Sequence, residues 1–297
     1  MTYLDPPLQC AHLVGDTLIF ENNGCLHTAI TQGLFLLRIP ESISLEPGIK
    51  LCREFYLPVT DCTNYGGFRP QTDIYFDREH FQTEHLLVDK SRWATRLPSE
   101  VVQMAQAMDA LAQVVFQAAL RELGVAEHLW QQLSGGAVTG HGTHWFAASH
   151  YRPERRLPGC AEHRDTGFVT LLYTRQPGLE AFIGGRWQAI AVRAGCFIVN
   201  FGACLEALSG RLPLAARAIE HRVRECPAAA HGEDRFSFAT FINPPAIADL
   251  YELQPDGELR RLMSVETFLR HFNEFTWQDR HTTFGIEPVR PRGATHE

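Results

Sequence analysis

Residues 163–174 read His163-Arg164-Asp165-Thr166-Gly167-Phe168-Val169-Thr170-Leu171-Leu172-Tyr173-Thr174. The later part, Phe168 to Thr174, is a β-prone run. The opening triplet sets an imidazole and a carboxylate two residues apart, and in extended chain such residues project from one face. Outward from this stretch, similar short runs succeed one another between about residues 143 and 243: His144 to Ala148, Leu179 to Ile183, Trp187 to Val192, Cys196 to Asn200 and Arg235 to Ile242. Gly184-Gly185, between two of these runs, is a hairpin signal. Many short strands at this spacing predict a sandwich or jelly roll rather than a Rossmann sheet.

The flanks have a different texture. Residues 1 to about 135 mix short strands, Thr17 to Phe20 and Leu34 to Leu37, with helices. The clearest helix runs from Ser99 to Leu123, where Val101, Met104, Met108, Leu111, Val115 and Ala119 recur at helical steps on one face. Pro98 and Gly124 supply its start and stop signals. After Asn243-Pro244-Pro245 a C-terminal helix is expected around Ser264 to Phe275, with residues 288–297 as a mobile tail. The expectation is one α+β domain over residues 1–297 with a mainly β core. It divides into a mixed region (1–135), a jelly-roll core (143–243) and a C-terminal helix and tail (244–297).

Composition narrows the function classes. Lys plus Arg number 27 against 34 Asp plus Glu, a formal charge of −7, and no long basic run is present. That balance argues against a nucleic-acid or anionic-membrane binder. The most apolar region, Ala189 to Leu208, is interrupted by Arg193, Asn200 and Glu206, so no bilayer span is expected. The N-terminus has neither a basic n-region nor an apolar h-region, and a soluble cytoplasmic protein is expected. The eight cysteines form no C-x-x-C pair and are read as reduced, structural thiols, Cys196 as a buried one.

Three pieces of sequence carry chemistry. An H-x-D triplet alone is as readily a surface turn. His221 alone, 56 residues after Asp165, is as readily a strand histidine bonded to a neighbour. Together, His163, Asp165 and His221 would form two imidazoles and one carboxylate, a facial triad that suits Fe(II) and leaves three adjacent sites open. Arg235-Phe236-Ser237 follows 14 residues after His221. Arg235 and Ser237 share one strand face, and a guanidinium beside a hydroxyl makes a clamp for a carboxylate. A buried ion pair would be the structural account of Arg235, but such burial is costly without a matched anion. His141-Gly142-Thr143-His144 lacks a third ligand at a recognisable spacing. No P-loop, G-x-G-x-x-G, H-E-x-x-H or G-x-S-x-G is present.

The order H-x-D, distal His, R-x-S resembles the isopenicillin N synthase-like superfamily, most of whose members are Fe(II)- and 2-oxoglutarate-dependent oxygenases. These include deacetoxycephalosporin synthase and plant flavonoid and hormone oxygenases. Further similarity lies in Gly33-Leu34-Phe35-Leu36-Leu37, Tyr65-Gly66-Gly67-Phe68, the Ser99–Leu123 helix, Phe197 to Gly202 and His221-Arg222-Val223, so it covers roughly residues 15–245. The resemblance implies a double-stranded β-helix with His163, Asp165 and His221 as iron ligands. It further implies Arg235 and Ser237 on the distal carboxylate of 2-oxoglutarate, and Tyr151 as a hydrogen-bond partner of that cosubstrate. The cofactors implied are Fe(II), 2-oxoglutarate and O2, and the partner a small molecule to be hydroxylated, desaturated or cyclised. A carboxylate at Asp165 favours oxygenation or desaturation over halogenation. Gly202-Ala203-Cys204 stands where many relatives have G-D, and residues 206–220 are longer and more apolar than the plant pattern. Those departures point to a natural-product or amino-acid-derived substrate. Two other readings are a cosubstrate-independent oxidase of the isopenicillin N synthase type, and a cupin-like binding protein without turnover. The intact triad and clamp argue against the latter.

Overall fold

The architecture follows from strands whose alternate residues differ in character, which forces each strand to present one face to helices and the other to a cavity. In the computed structural model, residues 4, 7–59, 64–227, 233–278, 281, 285 and 286 are described. The chain opens with β1 (Cys10–Val14), β2 (Thr17–Phe20), α1 (Leu26–Gln32), β3 (Leu34–Arg38) and α2 (Glu46–Glu54). It continues through β4 (Tyr75–Asp77), β5 (Thr83–Asp89), α3 (Trp93–Arg96), α4 (Ser99–Glu122) and α5 (Glu127–Leu133). The β-rich part holds β6 (Thr143–Tyr151), β7 (Cys160–His163), β8 (Val169–Thr174), β9 (Leu179–Ile183), β10 (Arg186–Ala189) and β11 (Cys196–Phe201). After α6 (Ala203–Ser209) come β12 (His221–Val223), β13 (Phe236–Asn243), β14 (Asp249–Leu253), β15 (Leu259–Ser264) and α7 (Val265–Thr276).

Nine strands form a major sheet in the order β2-β1-β3-β11-β8-β13-β6-β5-β4, and four form a minor sheet, β10-β9-β12-β7. Leu34, Leu36 and Ile198 of the major sheet pack with Leu179, Ala181 and Val223 of the minor one, so the sheets face each other as a jelly roll. The expected hairpin is there: Gly184 and Gly185 turn between β9 and β10 with φ of 61° and 77°, both in the left-handed region. The long helix lies where its stripe predicts. Val101, Met104, Met108, Leu111, Val115 and Ala119 are all buried, and Phe116 stacks on Phe168 at 4.5 Å. One contiguous core runs from Ala11 to Leu253.

The cavity face of the major sheet is laid out in three rows by its register. Thr174, Ser237, Ser149 and His85 form one row, Leu172, Ala239, Ala147 and Leu87 the next, and Asn200, Thr170, Phe241 and Trp145 the third. The intervening residues, among them Phe146, Tyr173 and Phe238, face the helices and pack as an aromatic cluster. Some elements differ from expectation. The strand expected at Trp187 to Val192 is shorter and earlier, β10, and α6 occupies a segment with no clear signal. The predicted tail at 288–297 and Cys62 lie outside the described residues.

Strands β4, β5 and β6 carry a buried charge network. Glu84, fully buried, accepts two hydrogen bonds from Arg69 (2.8 and 3.0 Å), one from His150 (2.9 Å) and one from the Tyr75 hydroxyl. Burial pushes its carboxyl up, but His150, Arg69, Tyr75 and Arg152 outweigh that and bring it from 4.5 down to about 2. A carboxylate depressed on folding stabilises the native state above its unfolded pKa and loses that contribution as pH falls through the folded one. Acid unfolding should therefore show stability declining between pH 4.5 and about 2. Glu84→Gln should be less stable at neutral pH and lack that part of the slope, as chemical denaturation at stepped pH would read.

Candidate metal centre

Strand pairing brings the two distant histidines together. β7 ends at His163, and β12 sets His221 directly opposite it, with the ring centroids 4.3 Å apart. Both rings are oriented in the same local way. His163 Nδ1 donates to the Ala161 carbonyl at 2.9 Å, and His221 Nδ1 donates to the Ile219 carbonyl at 3.1 Å. A carbonyl can only accept, so each neutral ring carries its proton on Nδ1 and leaves the Nε2 lone pair free to bind. Those Nε2 atoms lie 3.8 and 3.6 Å from Asp165 Oδ1.

Asp165 reaches this position from a loop. Strand β7 has ended two residues earlier, so the same-face rule for extended chain does not by itself place it. Its backbone carbonyl accepts from the Ala203 N–H at 2.7 Å, and Asn200 Nδ2 donates to its Oδ2 at 3.2 Å, which leaves Oδ1 toward the imidazoles. The loops meet at Gly202, where a Cβ would lie 2.2 Å from the Gly167 carbonyl oxygen and 3.0 Å from that of Asp165. Only glycine allows that approach.

The donor set suits a divalent cation. One atom from each of His163, Asp165 and His221 lies within 4.8 Å of the others. Burial, reinforced by His221, lowers the His163 pKa from 6.5 to about 4, so the ring is neutral at ordinary pH. Burial pushes Asp165 up, but His221, His163, Thr170 and Asn200 outweigh it and keep its carboxyl below the usual range. Two neutral imidazoles and one carboxylate are what a borderline metal ion takes, and one fixed carboxylate buried without a cation would be costly.

Beyond the triad lies a buried guanidinium beside a phenol and a hydroxyl. Arg235 is buried with its guanidinium 4.3 Å over the Tyr151 ring, and its Nε donates to the Pro177 carbonyl at 3.2 Å. Its Nη1 is buried with no hydrogen-bond partner among the described residues. Ser237 Oγ lies 3.5 Å from the Tyr151 hydroxyl. A cavity of about 130 Å³ joins Arg235, Ser237 and Tyr151 to the triad and continues to Trp145, Phe272 and Trp277. A wider cleft of about 730 Å³ at Arg69, Tyr75, Arg152 and Arg155 is polar, but its arginines already pair with Asp77 and Glu84. His141 and His144 do not converge as metal ligands: His144 bonds to Asp109 on α4, and His141 contacts Thr139. Asn200, Phe272 and Trp277 were not anticipated as site residues. The signal for Asn200 was there, a lone amide inside the apolar run Phe197 to Phe201.

Residues 143–244 match the family model of the 2OG-Fe(II) oxygenase superfamily. This chain is 31% identical over 105 residues to the 2-oxoglutarate-dependent dioxygenase iboH of Amanita muscaria, covering 34% of this chain and 48% of the relative. It is 30% identical to gibberellin 2-beta-dioxygenase 8 of Arabidopsis thaliana, over 46% and 37% of the two chains. The matches thus span less than half the length of these curated relatives. Among solved structures, JOX2 in complex with 2OG, Fe and JA superposes with a TM-score of 0.65 at 19% identity, over 88% of this chain and 84% of that one. The dioxygenase for auxin oxidation of rice superposes with a TM-score of 0.62 at 21% identity, over 83% and 87%. These likenesses confirm the double-stranded β-helix. Residues that hold a ligand in place commonly contribute 10- to 100-fold to metal affinity. Fe(II) titration under nitrogen should show His221→Ala losing specific binding and Asn200→Ala weakening it by about 10- to 100-fold.

Proposed function

We propose that this protein is a non-haem Fe(II)- and 2-oxoglutarate-dependent dioxygenase, its residues 1–297 forming one oxygenase domain that acts on a small molecule. The observation that carries the reading is Arg235 Nη1: a buried cationic donor without a partner, at one end of a cavity whose middle is the His163–Asp165–His221 cluster. A buried donor left unsatisfied costs on the order of 1–3 kcal/mol, more when charged, and a dicarboxylate that also reaches the triad would satisfy it.

Fe(II) and 2-oxoglutarate, when bound, supply oxidative chemistry in which O2 is consumed, 2-oxoglutarate becomes succinate and CO2, and a substrate C–H bond is oxidised. The chain's own residues do the positioning. His163, Asp165 and His221 present three ligand atoms on one side and leave the other open to the cavity. Arg235 and Ser237 hold the far carboxylate. Burial raises the Tyr151 pKa, so its phenol stays protonated and donates toward the same anion. Phe272 and Trp277, whose rings lie 6.3 and 5.6 Å from that of His163, roof the centre and keep water from it.

The substrate belongs, in this reading, to natural-product metabolism, and the compartment is the reducing cytoplasm. Seven free cysteines among the described residues fit such a compartment. No helix among the described residues is long and apolar enough to cross a membrane.

Mixing the protein with Fe(II) and 2-oxoglutarate under nitrogen should develop a visible charge-transfer band. Arg235→Leu should abolish it or shift its half-saturation by at least about 30-fold, since truncating a buried charged hydrogen bond costs roughly 2–5 kcal/mol. No band in the wild type, with oxygen uptake driven by substrate alone, would replace this reading with a cosubstrate-independent oxidase.

A further inference from the structure

We infer that the substrate is a small, uncharged molecule built on a planar apolar ring, held between the aromatic side chains at the end of the cavity opposite Arg235. The inference rests on the oxygenase reading and narrows it. The register rows divide the cavity floor by chemistry. The row nearest Arg235 offers hydroxyls, from Ser237 and Ser149. The middle row opens space with two alanines side by side, Ala239 and Ala147. The far row sets Phe241 beside Trp145 on one side and Thr170 and Asn200 on the other, so its aromatic part lies over β13 and β6.

The roof repeats the pattern. Phe272 and Trp277, at the end of α7, face the cavity next to His163, so the aromatic region begins at the ligand cluster itself. A C–H bond on a ring seated there would lie beside the metal position. Trp145 is in turn packed from behind by Val265, Leu269 and Ile286, so this wall is apolar.

Charge decides what the slot can hold. Among the described residues, the charged side chains on the cavity wall are Asp165 and Arg235, both already committed, the first to the cation and the second to 2-oxoglutarate. The remaining titratable ring on the wall outside the triad, His85, accepts a hydrogen bond at its Nε2 from Arg78 Nε at 3.0 Å, which fixes it as a neutral imidazole. Arg78 itself lies behind that wall, packed on the Trp277 ring at 3.9 Å. A carboxylate or ammonium group in this half would be desolvated against aromatic faces with no charged side chain of the described wall beside it, which is unfavourable. A neutral ring gains both burial and offset or edge contacts with the four aromatics. The substrate is therefore of a different class from a free amino acid.

A matched set of one ring with three charge states tests this: p-cresol, 4-hydroxyphenylacetate and tyrosine. Each is titrated by calorimetry into protein loaded with Fe(II) and 2-oxoglutarate under nitrogen, after the charge-transfer band has been recorded. We expect p-cresol to bind about tenfold or more tightly than either charged analogue. Phe272→Ala should weaken p-cresol severalfold, and Ala147→Phe should exclude it by filling the middle row. The band of each variant is recorded first and ring binding is compared at saturating 2-oxoglutarate, so that a change at the metal centre is not read as a change in the slot. Equal or tighter binding of the anion or zwitterion, no saturable p-cresol binding, or p-cresol binding indifferent to both substitutions would each overturn the inference. Absence of the band before any ring is added would instead remove the oxygenase reading, so the two failures are distinguishable.

Discussion

Two imidazoles face each other across the β7–β12 ladder, and each bonds its Nδ1 proton to the carbonyl two residues before it in the chain. That hydrogen bond is local, spanning two residues of the chain, and it settles tautomer and ring orientation without help from any distant contact. The rest of the site depends on it. With both Nε2 atoms aimed inward, one loop carboxylate completes the set, and the cavity is left open on the opposite side. Were either ring flipped, the same three residues would present an N–H to the centre and repel a cation.

The second half of the machinery is coupled to the first through the period of a strand. Arg235 and Ser237 face the cavity because Phe236 and Phe238 must face the helices. A slip of one residue in β13 would bury Arg235 and Ser237 in the aromatic core and push phenylalanines into the cavity. Packing on the helix side, through Tyr173, Phe146 and Phe238, thereby guards the register of a functional pair on the other face. The protein's net negative charge is beside the point for anion binding. One guanidinium, buried and stacked on Tyr151, does locally what a basic surface would do diffusely.

How much of this was readable from the chain depended on whether the information was local. His163, Asp165, His221, Arg235 and Ser237 stand in short motifs on or beside strands, where residue type and alternation nearly determine the arrangement. The α4 stripe and the Gly184-Gly185 hairpin were legible for the same reason. The Glu84 network was not. It draws Arg69, Tyr75 and the His150–Arg152 pair from three separate segments, and no pattern within any of them marks the meeting point. Strands β4 and β5 sit at the sheet edge, and β4 is only three residues long, too short for alternation to register. Trp277 was invisible for another reason: its role comes from where α7 ends in space, which helical periodicity does not encode.

The triad is set by hydrogen bonds and strand pairing that need no ion to hold them, and this has a consequence for metallation. A centre organised in advance binds tightly but discriminates poorly, because nothing in two imidazoles and a carboxylate rejects iron's neighbours in the first transition row. The intrinsic order of affinity runs against ferrous iron and in favour of nickel and copper. What would occupy such a site is then a matter of cellular supply rather than of protein choice, and the same preorganisation that suits it to iron leaves it open to capture by the wrong ion.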